Sequence, residues 1–196
     1  MYRMKNNKIK GVMLSELERA YDKLHAWFFA YPQNEFSLND LAKELEIAKN
    51  TANTVVSHLE KEKFLEIKVL GKRLWRIKAN TKHPYFITRK IPFNLKLIYE
   101  SGVLEWITER IPGARAVILF GSYRKGDDIP ESDVDIAVEV LENESIRTMT
   151  LTVQNLGYRK QVPIQIHIFS RNKVDLNLFA NIANGIVLSG FLEVRP

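Results

Sequence analysis

The first 80 residues show three segments of helical hydrophobic spacing followed by two segments of alternation. Apolar residues recur every three or four positions over 12–31, 37–45 and 50–63, which predicts three helices, with Ser37 as the N-cap of the second. Residues 65–70 and 74–78 alternate apolar and polar side chains on either side of a basic, glycine-containing turn. That pattern predicts a β-hairpin.

The second half of the chain mixes strands with helices. Helical spacing returns over 93–110, and an apolar, β-branched run at 116–120 predicts a buried strand. Alternating segments at 133–138 and 162–169 predict two further strands. The sequence as a whole therefore predicts an α+β fold.

The domain organisation follows from a break in periodicity at residues 82–85, Lys-His-Pro-Tyr. We predict a first domain over 1–80, a linker over 81–92 and a second domain over 93–196. A chain of 196 residues with 45% apolar content is long enough for two small folded domains.

Composition excludes several classes of protein. No apolar run approaches the roughly 20 residues that cross a bilayer, and the basic start is not followed by the apolar core of a secretory signal. The chain has no cysteine, which excludes disulfides and thiolate metal sites. We therefore expect a cytoplasmic protein without a membrane partner.

The net charge of +6 is concentrated in the predicted first domain. Up to Asn80 there are 15 Lys and Arg residues against 10 Asp and Glu residues, and after it 14 against 13. A basic domain favours a polyanion as partner. A solvated surface that merely keeps the protein soluble accounts for the charge equally well.

The third predicted helix carries short, hydrogen-bonding side chains on its polar face, a type that fits phosphates and base edges. The order of three helices and a basic hairpin resembles the winged helix-turn-helix family, and the stretch 37–77 resembles it over its whole length. The resemblance implies binding of double-stranded DNA through the third helix and the hairpin tip: Lys49, Asn50, Thr51, Asn53, Thr54, Ser57, His58, Lys72 and Arg73. Winged helices also serve as protein-interaction or dimerisation modules. The aromatic end of the first helix, at Trp27–Tyr31, is interpreted as core or as the surface of a homodimer.

The stretch from Ala116 to Val140 combines features of a phosphate and metal site. A strand that ends in Gly121-Ser122 presents backbone N–H groups to an anion, and glycine lets a phosphate approach the backbone. Asp133 and Asp135 are two residues apart, so on a strand they share a face, and carboxylate oxygens suit Mg²⁺. Such a combination is typical of metal-assisted phosphoryl or nucleotidyl transfer.

The motif Gly-Ser, a loop with Gly126, and then Ser-Asp-x-Asp resembles the nucleotidyltransferase superfamily typified by polymerase beta. It is most similar to the small bacterial and archaeal minimal nucleotidyltransferases, and the match extends to the C-terminus. The resemblance implies a small mixed sheet flanked by helices, an NTP such as ATP as substrate or ligand, and two Mg²⁺ ions on Asp133 and Asp135. The nucleotide would contact Gly121, Ser122, Arg124, Lys125 and Gly126.

The resemblance also implies a third acidic residue on a later strand, and this chain departs from it. The matching strand, 162–169, carries Gln165 and His167 on one face and no carboxylate. An amide oxygen coordinates Mg²⁺ weakly and cannot act as a base. Histidine can act as a base near neutral pH but is a poor Mg²⁺ ligand, and on a half-buried strand it is commonly just hydrogen-bonded.

Two functions follow from this pattern. The first is an enzyme that transfers a nucleoside monophosphate from an NTP to a hydroxyl of a protein or a nucleic acid. The second is a DNA-binding regulator whose nucleotidyltransferase domain is catalytically impaired and acts as a nucleotide sensor or dimer platform. Small members of this family commonly occur in toxin–antitoxin pairs, so a protein partner is also expected.

Overall fold

The computed structural model describes residues 3–70, 74–141 and 146–194. The chain divides into two compact units, Met1–Phe86 and Ile87–Pro196. None of the helices in the described residues has the length and apolar character that crossing a membrane requires.

The first unit follows the predicted order of elements. It contains the helices α1 (Arg3–Ala30), α2 (Leu38–Glu44) and α3 (Lys49–Lys61), then the antiparallel strands β1 (Leu65–Leu70) and β2 (Leu74–Ala79). The predicted N-cap is confirmed, because the Ser37 hydroxyl accepts a hydrogen bond of 3.2 Å from the Asp40 N–H and the Asp40 carboxylate accepts one of 3.1 Å from the Ser37 N–H. This reciprocal pair satisfies two N–H groups at the start of α2.

Large apolar side chains from all of these helices and from the hairpin fill the core of the first unit. Phe28, Leu41, Leu59, Phe64 and Ile77 are fully buried. Phe29, from the aromatic end of α1, is also buried and meets the Phe64 ring edge-on at 5.5 Å. The two phenylalanines of the aromatic end, Phe28 and Phe29, are therefore part of the core of the first unit.

The second unit is a mixed sheet with helices on both faces. Its elements are α4 (Pro84–Glu100), α5 (Val103–Arg110), β3 (Ala114–Phe120), α6 (Gly121–Lys125), β4 (Val134–Val140), β5 (Arg147–Leu156), β6 (Arg159–Phe169), α7 (Leu176–Ala183) and β7 (Ile186–Gly190). The strand order is β5-β6-β4-β3-β7, and every neighbouring pair is antiparallel except β4 and β6. The predicted mixed sheet flanked by helices is thus present in this unit.

The two faces of the sheet have separate cores. Alternate residues of β4, such as Ile136 and Val138, pack with Ile98 of α4 and Ile107 of α5. The opposite face packs with Ile182 of α7. Because successive strand residues point to opposite faces, Asp135 lies on the side of α7.

The predicted linker, 81–92, contains the boundary between the two units and is largely helical, because α4 begins at Pro84 and runs through most of it. One prediction about the middle of the chain is wrong. The single helix predicted over 93–110 is two helices, α4 and α5, which are separated at Ser101-Gly102. Gly102 has φ +76°, a left-handed conformation that ends the helical path and that glycine adopts without strain.

Candidate functional site

The predicted phosphate loop begins where a central strand ends. β3 stops at Phe120 and the short helix α6 starts at Gly121, which has φ +73°. A Cβ atom on Gly121 would lie only 2.3 Å from Oδ2 of Asp135. The absence of a side chain therefore lets the backbone of this loop touch the carboxylate directly.

The two predicted metal ligands lie at the start of the neighbouring strand. Asp133 immediately precedes β4, Asp135 is its second residue, and both are half-buried. Phe120 is the register partner of Asp135, which explains how the end of β3 and the carboxylate come together. The structure thus brings Gly121 and Asp135, fourteen positions apart in sequence, into contact.

Gln165 and His167 lie on the next strand, on the same face as Asp135. Gln165 is the register partner of Asp135 across the parallel β4–β6 pair. Its amide oxygen accepts a hydrogen bond of 2.8 Å from the Thr150 hydroxyl of β5. Gln165, the register partner of Asp135, is therefore hydrogen-bonded to β5 on the other side of β6.

His167 makes the side-chain contact with the carboxylate. Its Nε2 atom is 3.4 Å from Oδ1 of Asp135, and its Nδ1 atom is 3.3 Å from Oγ1 of Thr148. The edge of its ring meets Phe120 at a centroid distance of 5.4 Å. The imidazole is thus fixed between a carboxylate and a hydroxyl.

The donor set of the site is small. Within the described ranges, no group of three or more His, Asp or Glu side chains is placed to hold a metal ion. Asp133 and Asp135 nevertheless supply the carboxylate oxygens that Mg²⁺ takes when phosphate oxygens and water complete its shell. The residues present therefore fit Mg²⁺ bound jointly with a phosphate ligand better than Mg²⁺ bound by protein alone.

The remaining predicted nucleotide contacts lie on α6 and at its end. Arg124 is half-buried and Lys125 is exposed. Gly126 caps α6 with φ +75° and packs against α4, since a Cβ there would lie 3.1 Å from Cγ1 of Ile91. The left-handed turn and the close approach of α4 both explain why glycine occupies this position.

Sequence reasoning missed a buried cluster of polar and charged side chains beneath the loop. Lys90, Asn94, Asp128 and Arg159 are each at most 5% exposed. The Lys90 ammonium is 3.1 Å from Oδ1 of Asp128, and the Asn94 amide donates a 2.8 Å hydrogen bond to the same oxygen. Arg159 approaches the other carboxylate oxygen at 3.7 Å.

Burial dominates the electrostatics of this cluster. Desolvation lowers the pKa of Lys90 and raises the pKa of Asp128, because it penalises both charged forms by more than the attraction between them returns. A single charged residue within a helical pattern is ordinarily assigned to the surface. The sequence signal that could have revealed the cluster is the spacing of Lys90 and Asn94 in line with the apolar residues Ile87 and Ile91.

The predicted DNA contacts of α3 are on its outer face. Lys49, Asn50, Asn53, Thr54 and His58 are exposed, and Thr51 and Ser57 are half-buried. The buried side of the helix consists of Ala52, Val55, Val56 and Leu59. The predicted hairpin tip, Lys72 and Arg73, lies outside the described residues.

Acidic and basic side chains lie together at the C-terminal end of that face. His58 is 3.3 Å from one carboxylate oxygen of Glu62, and the other oxygen accepts a hydrogen bond from the Tyr21 hydroxyl. Glu18 and Asp22 of α1 line a groove of about 800 Å³ together with His58 and Lys61.

Most of the second unit resembles a known protein family. Residues 104–190 match the family described as Polymerase beta, Nucleotidyltransferase. This part of the chain is nucleotidyltransferase-like. The match covers the loop at Gly121, both aspartates and the strand with Gln165 and His167. No curated protein matches the sequence.

Proposed function

We propose that the second unit binds an NTP with Mg²⁺ and transfers its nucleoside monophosphate to a hydroxyl acceptor on a protein or a nucleic acid. The observation that carries this proposal is the contact between the Gly121 backbone and the Asp135 carboxylate within the segment that matches the nucleotidyltransferase family. A phosphate chain held on the loop would lie beside a metal held by the carboxylate, as such transfer requires.

Each residue has a distinct role in this proposal. Gly121 and Ser122 bind the β- and γ-phosphates, and Arg124 and Lys125 contribute positive charge. Asp133 and Asp135 hold Mg²⁺. When bound, Mg²⁺ would orient the phosphates and neutralise charge on the leaving pyrophosphate. A second Mg²⁺ ion would be held by the same two residues.

The efficiency of the transfer depends on the residue that stands in place of the third acid. His167 touches Asp135 and can accept a proton from the attacking hydroxyl, whereas Gln165 can only orient or coordinate through its amide. We propose His167 as the base. A site without a base would still position the nucleotide but would lose the typical 10²–10⁴-fold contribution of general base catalysis.

Calorimetric titration of the full-length protein with ATP and Mg²⁺ tests the site. The proposal predicts Mg²⁺-dependent binding that is lost in Asp133→Ala and in Asp135→Ala. Asp127→Ala is the matched control, because Asp127 is an exposed acid of the same loop and should leave binding unchanged. Absence of binding by the wild type would refute the proposal, and transfer of label from each α-labelled NTP to acceptor mixtures would test turnover.

The alternative is a DNA-binding regulator whose nucleotidyltransferase domain is impaired. The absence of a third carboxylate beside the pair in the described part of the chain favours it. The three helices and hairpin of the first unit support a winged helix-turn-helix, and the exposed polar residues of α3 support contact with DNA. A homodimer and a toxin–antitoxin partner stay proposals of the same kind.

DNA binding is tested by the salt dependence of affinity. Lys72→Ala with Arg73→Ala should weaken binding at every sequence and reduce the slope of log affinity against log salt by about one unit per lost phosphate contact. Lys96→Ala, which removes an exposed charge from α4, is the control. Wild-type protein that retards no DNA at low salt would refute the role.

A further inference from the structure

We propose that Asn94, Asp128 and Arg159, with Lys90, are positioning residues that clamp the phosphate loop and the metal-binding aspartates in one fixed geometry. The inference rests on the proposed function, because it assigns these residues to the same site. None of the four has to touch the nucleotide. They would act through the backbone of residues 121–133, which joins the two halves of the motif.

One side of α4 contacts this backbone. Ile87, Lys90, Ile91 and Asn94 are spaced three and four residues apart, so they form one stripe along the helix. The two isoleucines pack where Gly126 approaches, since a Cβ at that position would lie 3.1 Å from Cγ1 of Ile91 and 3.7 Å from Cγ2 of Ile87. The two polar members of the stripe reach the loop on the same side of the helix.

Asn94 fixes the end of the loop that follows the phosphate-binding residues. Its amide nitrogen donates a 2.9 Å hydrogen bond to the carbonyl of Tyr123, the residue after Ser122. The same nitrogen donates to the Asp128 carboxylate at 2.8 Å. The Lys90 ammonium donates a 2.6 Å hydrogen bond to the Asp128 carbonyl, so Asp128 is held by both its backbone and its side chain.

Arg159 fixes the other end, beside the metal ligands. Its guanidinium donates hydrogen bonds to the carbonyls of Pro130 and Ser132, and Ser132 directly precedes Asp133. The Ser132 hydroxyl in turn accepts a 3.0 Å hydrogen bond from the Ile129 N–H. Since Arg159 also approaches the Asp128 carboxylate, the cluster connects the backbone after Ser122 to the backbone before Asp133.

Burial makes this connection effective. Water does not compete for hydrogen bonds whose donors are at most 5% exposed, and loss of the bonds to Tyr123 or Asp128 would leave a carbonyl of a buried residue unsatisfied. The loop should therefore open far less often than an exposed loop of the same length. A preorganised loop keeps phosphate contacts and metal ligands in the relative positions that phosphoryl transfer needs.

Amide hydrogen exchange of the full-length protein tests the clamp without requiring activity. Asn94→Ala and Arg159→Met should speed exchange in peptides covering 121–133 about tenfold, the ratio that corresponds to one lost buried hydrogen bond. Arg159→Lys, which keeps the positive charge and a single donor nitrogen, should give an intermediate rate. Ile98→Ala is the matched control, because Ile98 is fully buried on the same helix but faces the sheet core.

The control separates positioning from general stability. Ile98→Ala should lower Tm at least as much as Asn94→Ala yet leave loop exchange, measured well below Tm, at the wild-type rate. Mg²⁺-ATP binding should weaken about tenfold in Asn94→Ala and stay unchanged in Ile98→Ala. Equal loop exchange in Asn94→Ala, Arg159→Lys and the control would overturn the clamp, even where Arg159→Met does not fold. Wild-type protein that binds no Mg²⁺-ATP would overturn the proposed function alone, because the exchange rates still decide the clamp.

Discussion

Substitution of Gly121 by alanine probes the contact on which the candidate site depends. The backbone there has φ +73°, and the added methyl group would lie 2.3 Å from Oδ2, 3.1 Å from Cγ and 3.3 Å from Cβ of Asp135. Non-bonded carbon and oxygen atoms approach to about 3.3 Å, so the loop and the carboxylate must separate by about 1 Å. The backbone conformation adds a second, independent penalty.

The two penalties can be estimated separately. A left-handed backbone costs an L-residue about 1–2 kcal/mol, and overpacking of a close contact costs about 1–3 kcal/mol more. Gly113→Ala isolates the first penalty, since Gly113 has φ +79° and a Cβ there would meet nothing within 4 Å. Gly121→Ala should therefore be about 1–3 kcal/mol less stable than Gly113→Ala, and in a chain of this size each kcal/mol lowers Tm by about 2–4 °C.

Thermal unfolding and Mg²⁺-ATP titration of the two variants provide the assay. A displacement of about 1 Å at a reacting centre can cost about 100-fold in rate, so any transfer activity should fall in Gly121→Ala and persist in Gly113→Ala. Equal Tm values and equal nucleotide affinities in the two variants would refute the reasoning. The contact between loop and carboxylate would then have no functional consequence.

Further predictions concern the strand beside the carboxylates and the buried ion pair. His167→Ala should reduce the transfer rate more than Gln165→Ala while leaving Mg²⁺-ATP affinity within a few-fold of wild type; a larger loss in Gln165→Ala in single-turnover assays would contradict the assignment of the base. Addition of EDTA should abolish the ATP-induced rise in Tm of the wild type and change nothing in Asp135→Ala, and a rise that survives chelation would exclude a metal role. Lys90→Met should destabilise the fold by about 1–3 kcal/mol in denaturant unfolding, with part of the loss recovered in Lys90→Met/Asp128→Asn, because the second change removes the carboxylate left with one cation fewer. The folded-state pKa of Lys90 lies below its ordinary value of 10.5, so between the two values the unfolded chain binds more protons than the folded chain. Wild-type stability should therefore rise with pH in that range, and an equal slope of stability against pH in Lys90→Met would disprove this.

Local pattern was sufficient for much of the fold. Helical spacing and an N-cap serine predicted α2 and α3, and alternation predicted the hairpin of β1 and β2. These elements depend on interactions within a few residues, which the sequence shows directly. The segment 93–110 was misread because its apolar spacing continues across Gly102, where the backbone conformation breaks one helix into two.

The candidate site was likewise predicted only in part from the sequence. Gly121, Asp133 and Asp135 are recognisable from their residue types and spacing, since a turn glycine and paired carboxylates on one strand are local features. Strand pairing alone decided that Gln165 sits beside Asp135 in register while His167 makes the side-chain contact. Register between strands 30 residues apart depends on the whole sheet.

The sequence by itself determined where a phosphate loop and a carboxylate pair occur, because each is formed by residues that are close together in the sequence. Only the tertiary structure decided what holds them together. Lys90, Asn94, Asp128 and Arg159 come from a helix, a loop and a strand spread over 70 positions, and no local pattern shows that they meet. They become a buried cluster because packing α4 against the loop and β6 removes them from water, and buried polar groups must then bond one another.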